Sequence, residues 1–360
     1  MDTRKPARVA SAACLLAAPL ILAACGGGTT SSAGSSTGSG TSTGTSTPTT
    51  SQRTQAATQT AQSNPDCTSI TPFYWEIGDP SGPLASASLG SSPPAADTQM
   101  KIASASKWFF GAYVLELRNG QPTAADIAAL TMRSGYENLS YDSCIKLTAS
   151  AQQSETVDQC FQQAHLLGGA NSDFTAADVG RFYYNGAHFQ KYADIDLGLG
   201  ADTNATLAAA LSAKIGTDVP IAYDSPQLAA GLTDSAAGYA LFLRKILSGG
   251  LKMHDALGTN AVCTNPATCA TAVYTPIPGT ESWHYSLAHW VEDDPKVGDG
   301  AFSSPGAFGF YPWIDAAKTT YGVLARYSVG GNAATESVLC GRDIRKAWMT
   351  GTAVLASSTS

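Results

Sequence analysis

The sequence is short of charge and of histidine. Asp, Glu, Lys and Arg make up only 14% of its 360 residues, and there are five histidines. It contains no Cys-x-x-Cys and no His-Glu-x-x-His, so a structural zinc or a metallopeptidase site has no ligand set to start from. His284 and His289 lie five apart in an alternating stretch, which predicts opposite sides of one strand rather than a shared metal. No metal and no cofactor is expected. Basic clusters are missing as well: 21 Lys and Arg against 28 Asp and Glu give a net charge of −7. A chain of that sign makes a poor partner for nucleic acid.

A spanning apolar helix is also lacking, since the stretch "VASAACLLAAPLILAAC" falls short of the ~20 residues a bilayer needs. Behind Arg4, Lys5 and Arg8 it reads as an export signal over residues 1–24. Leu22-Ala23-Ala24-Cys25 resembles a bacterial lipobox, which implies cleavage before Cys25 and a lipid on that cysteine; ordinary signal cleavage is the alternative. Gly26 after the cysteine suggests, by analogy with lipoprotein sorting, an exported lipoprotein held to the outer membrane and facing the periplasm. Residues 25–65 are nearly all Gly, Ser, Thr, Ala and Gln. They lack the apolar bulk that would offset the entropy of ordering, so a disordered tether is expected. Its r.m.s. reach would be roughly 35 Å.

Loss of residues 1–24 removes three basic residues and one acidic, leaving 18 against 27 and a net charge of −9. Roughly 285 residues lie between the tether and the tail (66–350), enough for one large domain or two small ones. Of eight cysteines, Cys14 leaves with the signal and Cys25 carries the anchor. The remaining six read as disulfides in an exported protein, although six allow fifteen connectivities. The pairing expected is Cys144–Cys160 and Cys263–Cys269 as local loops, with Cys67–Cys340 joining the ends of the domain.

"FYWEIGD" (73–79), "DPSG" and "PLASASLG" (83–90) predict a hairpin. Residues 104–118 predict a helix that is apolar nearly all round and therefore buried. From about 122 to 250 the pattern is helical, with "TAADIAAL", "TAADVGRF" and "TLAAALSAKIG" each led by a threonine cap, and "LTDSAAGYALFLRKILSGG" closed by Gly249-Gly250. Residues 282–292, 307–315 and 321–329 return to strands, and "ATESVLCGRDIRKAWM" closes the chain as a helix. The layout is α+β: an antiparallel sheet flanked by helices, in a sheet part (66–120 and 251–350) interrupted by a helical insert (121–250), with a tail at 351–360.

Ser104 and Lys107 stand at i and i+3, one turn apart at the start of the apolar helix. Two uses are open: a helix cap with a surface lysine, or a nucleophile with its base. Catalysis needs the lysine neutral, and burial among apolar side chains can supply that. The spacing alone decides nothing, because Ser143-Cys144-Ile145-Lys146 repeats it in a polar stretch.

The company of Ser104 adds a resemblance. "MKIASASKWFFGAYVLEL", "LTMRSGY" (130–136), "LAAGLTDSAAGYALFLRKILSGG" (228–250) and "SPGAFGFYPWID" (304–315) resemble, in order, the motif segments of the serine β-lactamase and penicillin-binding-protein superfamily. The likeness is nearest to its class C-like, esterase and 6-aminohexanoate-oligomer hydrolase branch. It implies a β-lactamase/transpeptidase-like fold, Ser104 as nucleophile, Lys107 as base, and a tyrosine from "RFYYNGAHFQ". Tyr184 fits the flanking residues and Tyr183 fits Tyr-x-Asn literally, so Tyr184 is the choice and Tyr183 the alternative.

The third motif departs from the family. Ser304-Pro305-Gly306 stands where many members carry a cationic Lys-Thr-Gly, while Lys296-Val297-Gly298 lies too far upstream. The resemblance therefore implies substrate contacts from Ser304, Gly306 and Ala307, a neutral ester or amide (small molecule or peptide) as substrate, and an acyl-enzyme route. A catalytically degenerate lipoprotein binding peptidoglycan or a protein partner is the alternative. A D-Ala peptidase or β-lactamase would need a cation such as His188 or Arg181 at the site. Trp108 and the aromatics of "FGFYPW" are candidates for an apolar pocket.

Overall fold

The computed structural model describes residues 47–140, 144, 154–165 and 168–357. The signal, Cys25, the first part of the tether and the Ser143–Lys146 pair lie outside the described residues.

An eight-stranded sheet carries the architecture. Its strands are β1 (Phe73–Asp79), β2 (Gly82–Leu89), β3 (Val262–Cys263), β4 (His284–Tyr285), β5 (Trp290–Glu292), β6 (Ala301–Ser303), β7 (Tyr311–Ile314) and β8 (Tyr321–Ala325). The spatial order is β2-β1-β8-β7-β6-β5-β4-β3. Every neighbouring pair is antiparallel. The first two strands thus come from one end of the sequence and the other six from the far end.

The helices that matter for the site are α1 (Thr50–Ser63), α2 (Ser106–Leu117), α3 (Ala124–Leu130), α4 (Asn204–Ile215), α5 (Ala236–Leu247) and α6 (Ala333–Thr350). Side-chain alternation along β7 assigns the two faces of the sheet. Tyr311 and Trp313 point toward α6, where a Cβ on Gly341 would meet both rings. Phe310, of opposite parity, packs on Tyr239 of α5. The sheet is therefore sandwiched between α5 on one face and α6 with α1 on the other.

Helix α1 corrects the expected tether. Residues 50–63 are helical, opened by a Thr49–Gln52 capping box, and they pack along α6. The buried stripe is Ala56, Ala57, Thr60 and Ala61. Alanine has the best helix propensity and lets two helices approach closely, yet contributes no bulk that composition would register. Asn64, fully buried, donates to Asp343 of α6 at 2.9 Å and to the carbonyls of Val354 and Ala356. The domain thus begins well before residue 66, and part of the expected tail is tied to it.

Two further expectations are corrected. "TAADVGRF" gives only a 3-10 turn at Ala176–Asp178. Thr175 and Gly180 donate instead to the carbonyls of Gly135 and Arg133, and Gly180 takes φ +84°. Residues 282–292 form two strands rather than one. Ser286 N–H donates to His289 O and Ala288 takes φ +64°, so the chain reverses between β4 and β5. His284 and His289 therefore belong to separate segments, the first paired with Asp293 and the second buried against Trp108. The disulfides are Cys67–Cys340, Cys144–Cys160 and Cys263–Cys269.

Candidate active site

A short three-stranded sheet leads the chain into the site: Met100–Lys101 pairs with Leu232–Asp234, which pairs with Ala222–Tyr223. From Lys101 the backbone turns sharply. Ala103 adopts φ +45°, a left-handed conformation that disfavours any residue with a Cβ. Ser104 follows within a 3-10 turn, Ala103–Ala105, and the α-helix begins only at Ser106. No side chain caps that helix, so Ser104 is not its cap.

The Ser104 hydroxyl lies 3.0 Å from Nζ of Lys107. The lysine is 4% exposed and donates to the carbonyl of Ala229 at 2.9 Å. No carboxylate contacts it among the described residues. Burial alone pulls its pKa down to about 7, because removing water penalises the charged form and nothing nearby restores it. A neutral amine has two N–H bonds and one lone pair. With one N–H on Ala229, the lone pair is free to face the Ser104 O–H.

Tyr184 completes the group. Its ring centroid is 4.9 Å from Lys107 Nζ, and it stacks on Trp290 at 5.2 Å with an edge contact to Tyr285. Burial pushes the phenol up to about 12, while hydrogen bonds with Ser104 and Trp290 pull the other way. Tyr183 points elsewhere, against Tyr274, with its electrostatic neighbours Glu137 and Asp178. Of the two tyrosines, Tyr184 is the one brought to Ser104.

The bracing of this group was only partly legible in the sequence. Buried Gln190 donates to the carbonyls of Pro226 and Val157 and accepts from Leu228 N–H, which fixes the loop that presents Ala229 to Lys107. Ser106 accepts from Leu232 N–H at 3.1 Å. His188 hydrogen-bonds Ser134 at 2.7 Å and the Tyr183 carbonyl at 2.9 Å. Burial lowers its pKa to about 4, so it is neutral, with the proton on Nε2 and Nδ1 accepting. It joins "LTMRSGY" to the tyrosine segment. It does not line the cavity beside Ser104, and neither does Arg181, which pairs with Asp178.

Residues 304–307 divide between scaffold and site. Ser304 is 3% exposed and gives its hydroxyl to the Ser104 carbonyl at 3.0 Å, so it supports the backbone of Ser104 and does not line the cavity. Gly306 crosses so near that a Cβ there would sit 2.1 Å from the Ile102 carbonyl; only glycine fits. Ala307 does line the cavity, and neither its N–H nor that of Ser104 is taken by a protein acceptor among the described residues. Lys296 lies in a turn capped by Asp294, away from the cavity.

The cavity is about 510 Å³ and contains Ser104, Lys107, Tyr184 and Asn185 in its wall. Asn185 is occupied structurally, accepting from Leu139 and Ala187 N–H. Lys101 and Asp224 pair across the rim at 2.7 Å. Trp108 is not in the wall: it is fully buried and stacked on His289. Of the aromatics in "FGFYPW" only Phe308 lines the cavity. Much of the remaining apolar wall comes from Pro276, Ile277, Pro278 and Trp283 and from Val338 and Leu339 of α6, residues that the sequence did not assign to a site.

By sequence, no family model and no curated protein matches the chain. Solved structures do. The chain is similar to the octameric penicillin-binding protein homologue of Pyrococcus abyssi, with TM-score 0.54 and 13% identity over 78% of this chain and 74% of that one. It is similar to a β-lactamase of Mycobacterium bovis, with TM-score 0.52 and 15% identity over 79% and 99%. A D-stereospecific amidohydrolase of Streptomyces gives TM-score 0.51 and 12% identity over 85% and 100%. The antiparallel sheet between helices and these likenesses agree: this chain has the α+β fold of the serine β-lactamases and penicillin-binding proteins.

Proposed function

We propose that the protein is a serine hydrolase that cleaves an uncharged ester or amide through an acyl-enzyme on Ser104. The observation that carries this reading is the carboxylate-free burial of Lys107 at 3.0 Å from the Ser104 hydroxyl. The nucleophile's proton passes to Lys107 Nζ as Ser104 Oγ bonds to the substrate carbonyl carbon. The displaced electron pair rests on the carbonyl oxygen, facing the free N–H groups of Ser104 and Ala307, each worth about 3 kcal/mol to such a transition state. When the intermediate collapses, Tyr184 gives its phenolic proton to the leaving group and recovers one from Lys107. Water then repeats the sequence on the acyl-enzyme, with Lys107 again taking the proton.

The uncharged substrate follows from the lining. Besides Lys107, the basic side chain in the wall is Lys101, which is paired with Asp224, and Ser304, at the sequence position of the family's cationic motif, brings no charge and turns its hydroxyl to the Ser104 carbonyl. We propose further that residues 1–24 are an export signal and Cys25 a lipid anchor, which would make this an activity of the cell envelope.

Intact mass after exposure to a fluorophosphonate, a p-nitrophenyl ester and a penicillin tests the reading, with Ser104→Ala as control. A Ser104-dependent adduct with the first, turnover of the second and no adduct with the third are expected. A folded protein inert to all three would leave a binding protein on a hydrolase fold.

A further inference from the structure

The wall between α6 and the 276–283 segment has a chemistry of its own. Ala334, Thr335, Val338 and Leu339 fall on one helical stripe that continues to Arg342. Arg342 clamps the helix to the facing segment: it pairs with Glu281 at 2.9 Å and lies over the Trp283 ring at 5.5 Å. Trp283 gives its indole N–H to the same carboxylate.

Across from the stripe runs Pro276-Ile277-Pro278. Two of its three residues have no N–H to offer, and Ile277 N–H is taken by Thr275. The carbonyls beyond are turned inward: Pro278 O accepts from Glu281 N–H, and Gly279 and Glu281 O accept from the Asn265 amide. A wall with no N–H to offer over 276–278, and with the carbonyls of Pro278, Gly279 and Glu281 satisfied elsewhere, offers a ligand mainly dispersion and dehydration and little hydrogen bonding.

We infer that this recess is a hydrocarbon subsite, which takes an alkyl or aryl arm of the substrate while the scissile carbonyl lies at Ser104. The inference rests on the proposed hydrolase reading for calling the occupant a substrate. Binding can nevertheless be read without chemistry. Calorimetry on Ser104→Ala protein with p-nitrophenyl alkanoates from acetate to octanoate, and with alkyl acetates from ethyl to octyl, lengthens the acyl and the alcohol arm separately.

Affinity is expected to tighten about fourfold per methylene in one of the two series. Val338→Trp, which fills the recess, should erase that gain while leaving the shortest ester within about twofold. Leu339→Glu, on a half-buried position, provides the same test should the first variant not fold. Flat affinity in both series, or a gain untouched by both variants, would overturn the subsite. Fluorophosphonate labelling of the native protein separates the two readings. A labelled Ser104 with flat series rejects the subsite and keeps the hydrolase, and a graded series without labelling does the reverse.

Discussion

Two groups of buried cations receive opposite treatment in this protein. Lys107, 4% exposed, is surrounded by a hydroxyl, a backbone carbonyl and a phenol ring. Arg342 and Arg345, 6% and 2% exposed, sit among carboxylates instead. Arg345 holds Glu292 at 2.8 Å and Asp299 at 2.7 Å, while Arg342 holds Glu281. Tyr311 bridges Arg345 and Glu292. Burial works against charge at all three cations. At Lys107 nothing opposes it and the pKa falls to about 7; at the arginines the carboxylates win and the pKa rises. The same desolvation favours a neutral amine in one place and leaves a fixed structural charge in the other. The partners decide which.

The comparison breaks most sharply if Lys107 is made permanently cationic. Lys107→Arg keeps a positive side chain but removes the proposed base, and hydrolysis of a p-nitrophenyl ester is expected to fall by about 10²–10⁴-fold. Retention of a tenth or more of the activity would remove Lys107 from the mechanism. At the arginine cluster the analogous break is Glu292→Leu, which removes the carboxylate shared by two buried guanidiniums. A loss of about 3–5 kcal/mol is expected in a denaturant titration; a loss below about 1 kcal/mol would mean that the remaining carboxylates suffice. Activity per folded molecule should change much less than in Lys107→Arg.

A finer cut comes from pH. The ester kcat/KM is expected to rise through an apparent pKa of about 7 as Lys107 sheds its proton, and to stay high afterwards because the Tyr184 phenol is pushed up to about 12. Asp234 titrates in the same range, raised by burial to about 7, on the strand paired with Met100–Lys101. Asp234→Asn should keep the limb if Lys107 is its source. A pH-independent profile in that variant would assign the limb to the carboxyl.

The same contrast marks what the sequence could disclose. The β1–β2 hairpin, α5 and α6 were legible because a two-residue or helical apolar period is local. The Ser104–Lys107 pair was legible as a spacing, but its meaning depends on burial, which the wholly apolar α2 announced. The helix α1 was not, because its buried stripe is mostly alanine. The choice of Tyr184 over Tyr183 hangs on which ring turns toward Trp290, more than a hundred positions away. The apolar wall joins Ile277 to Val338 through an ion pair between Glu281 and Arg342, a clamp that no local pattern encodes. Ser304 illustrates a related limit: order along the chain placed it beside Ser104, but only geometry shows its hydroxyl turned to the Ser104 carbonyl.

The subtlest prediction concerns stability, and its sign follows from linkage. Below about pH 7 Lys107 is protonated in both native and unfolded protein, and the native state bears the full penalty of a buried, unpaired charge. Between about 7 and the unfolded value of 10.5 the unfolded chain keeps the proton that the native protein has lost, so native stability rises with pH across that window. Lys107→Met removes this titration while leaving every other group in place. The variant should therefore exceed the native protein in stability by a few kcal/mol at pH 6, with the advantage shrinking from pH 7 to 10.5. Loss of the donor to the Ala229 carbonyl subtracts about 1–3 kcal/mol at every pH, so the shape of the difference, rather than its absolute level, is what identifies the lysine. Chemical denaturation of both proteins at pH 6, 8 and 10 reads it directly. A difference that does not change with pH would mean that Lys107 folds with its ordinary pKa, and the base proposed for Ser104 would then be charged at neutral pH.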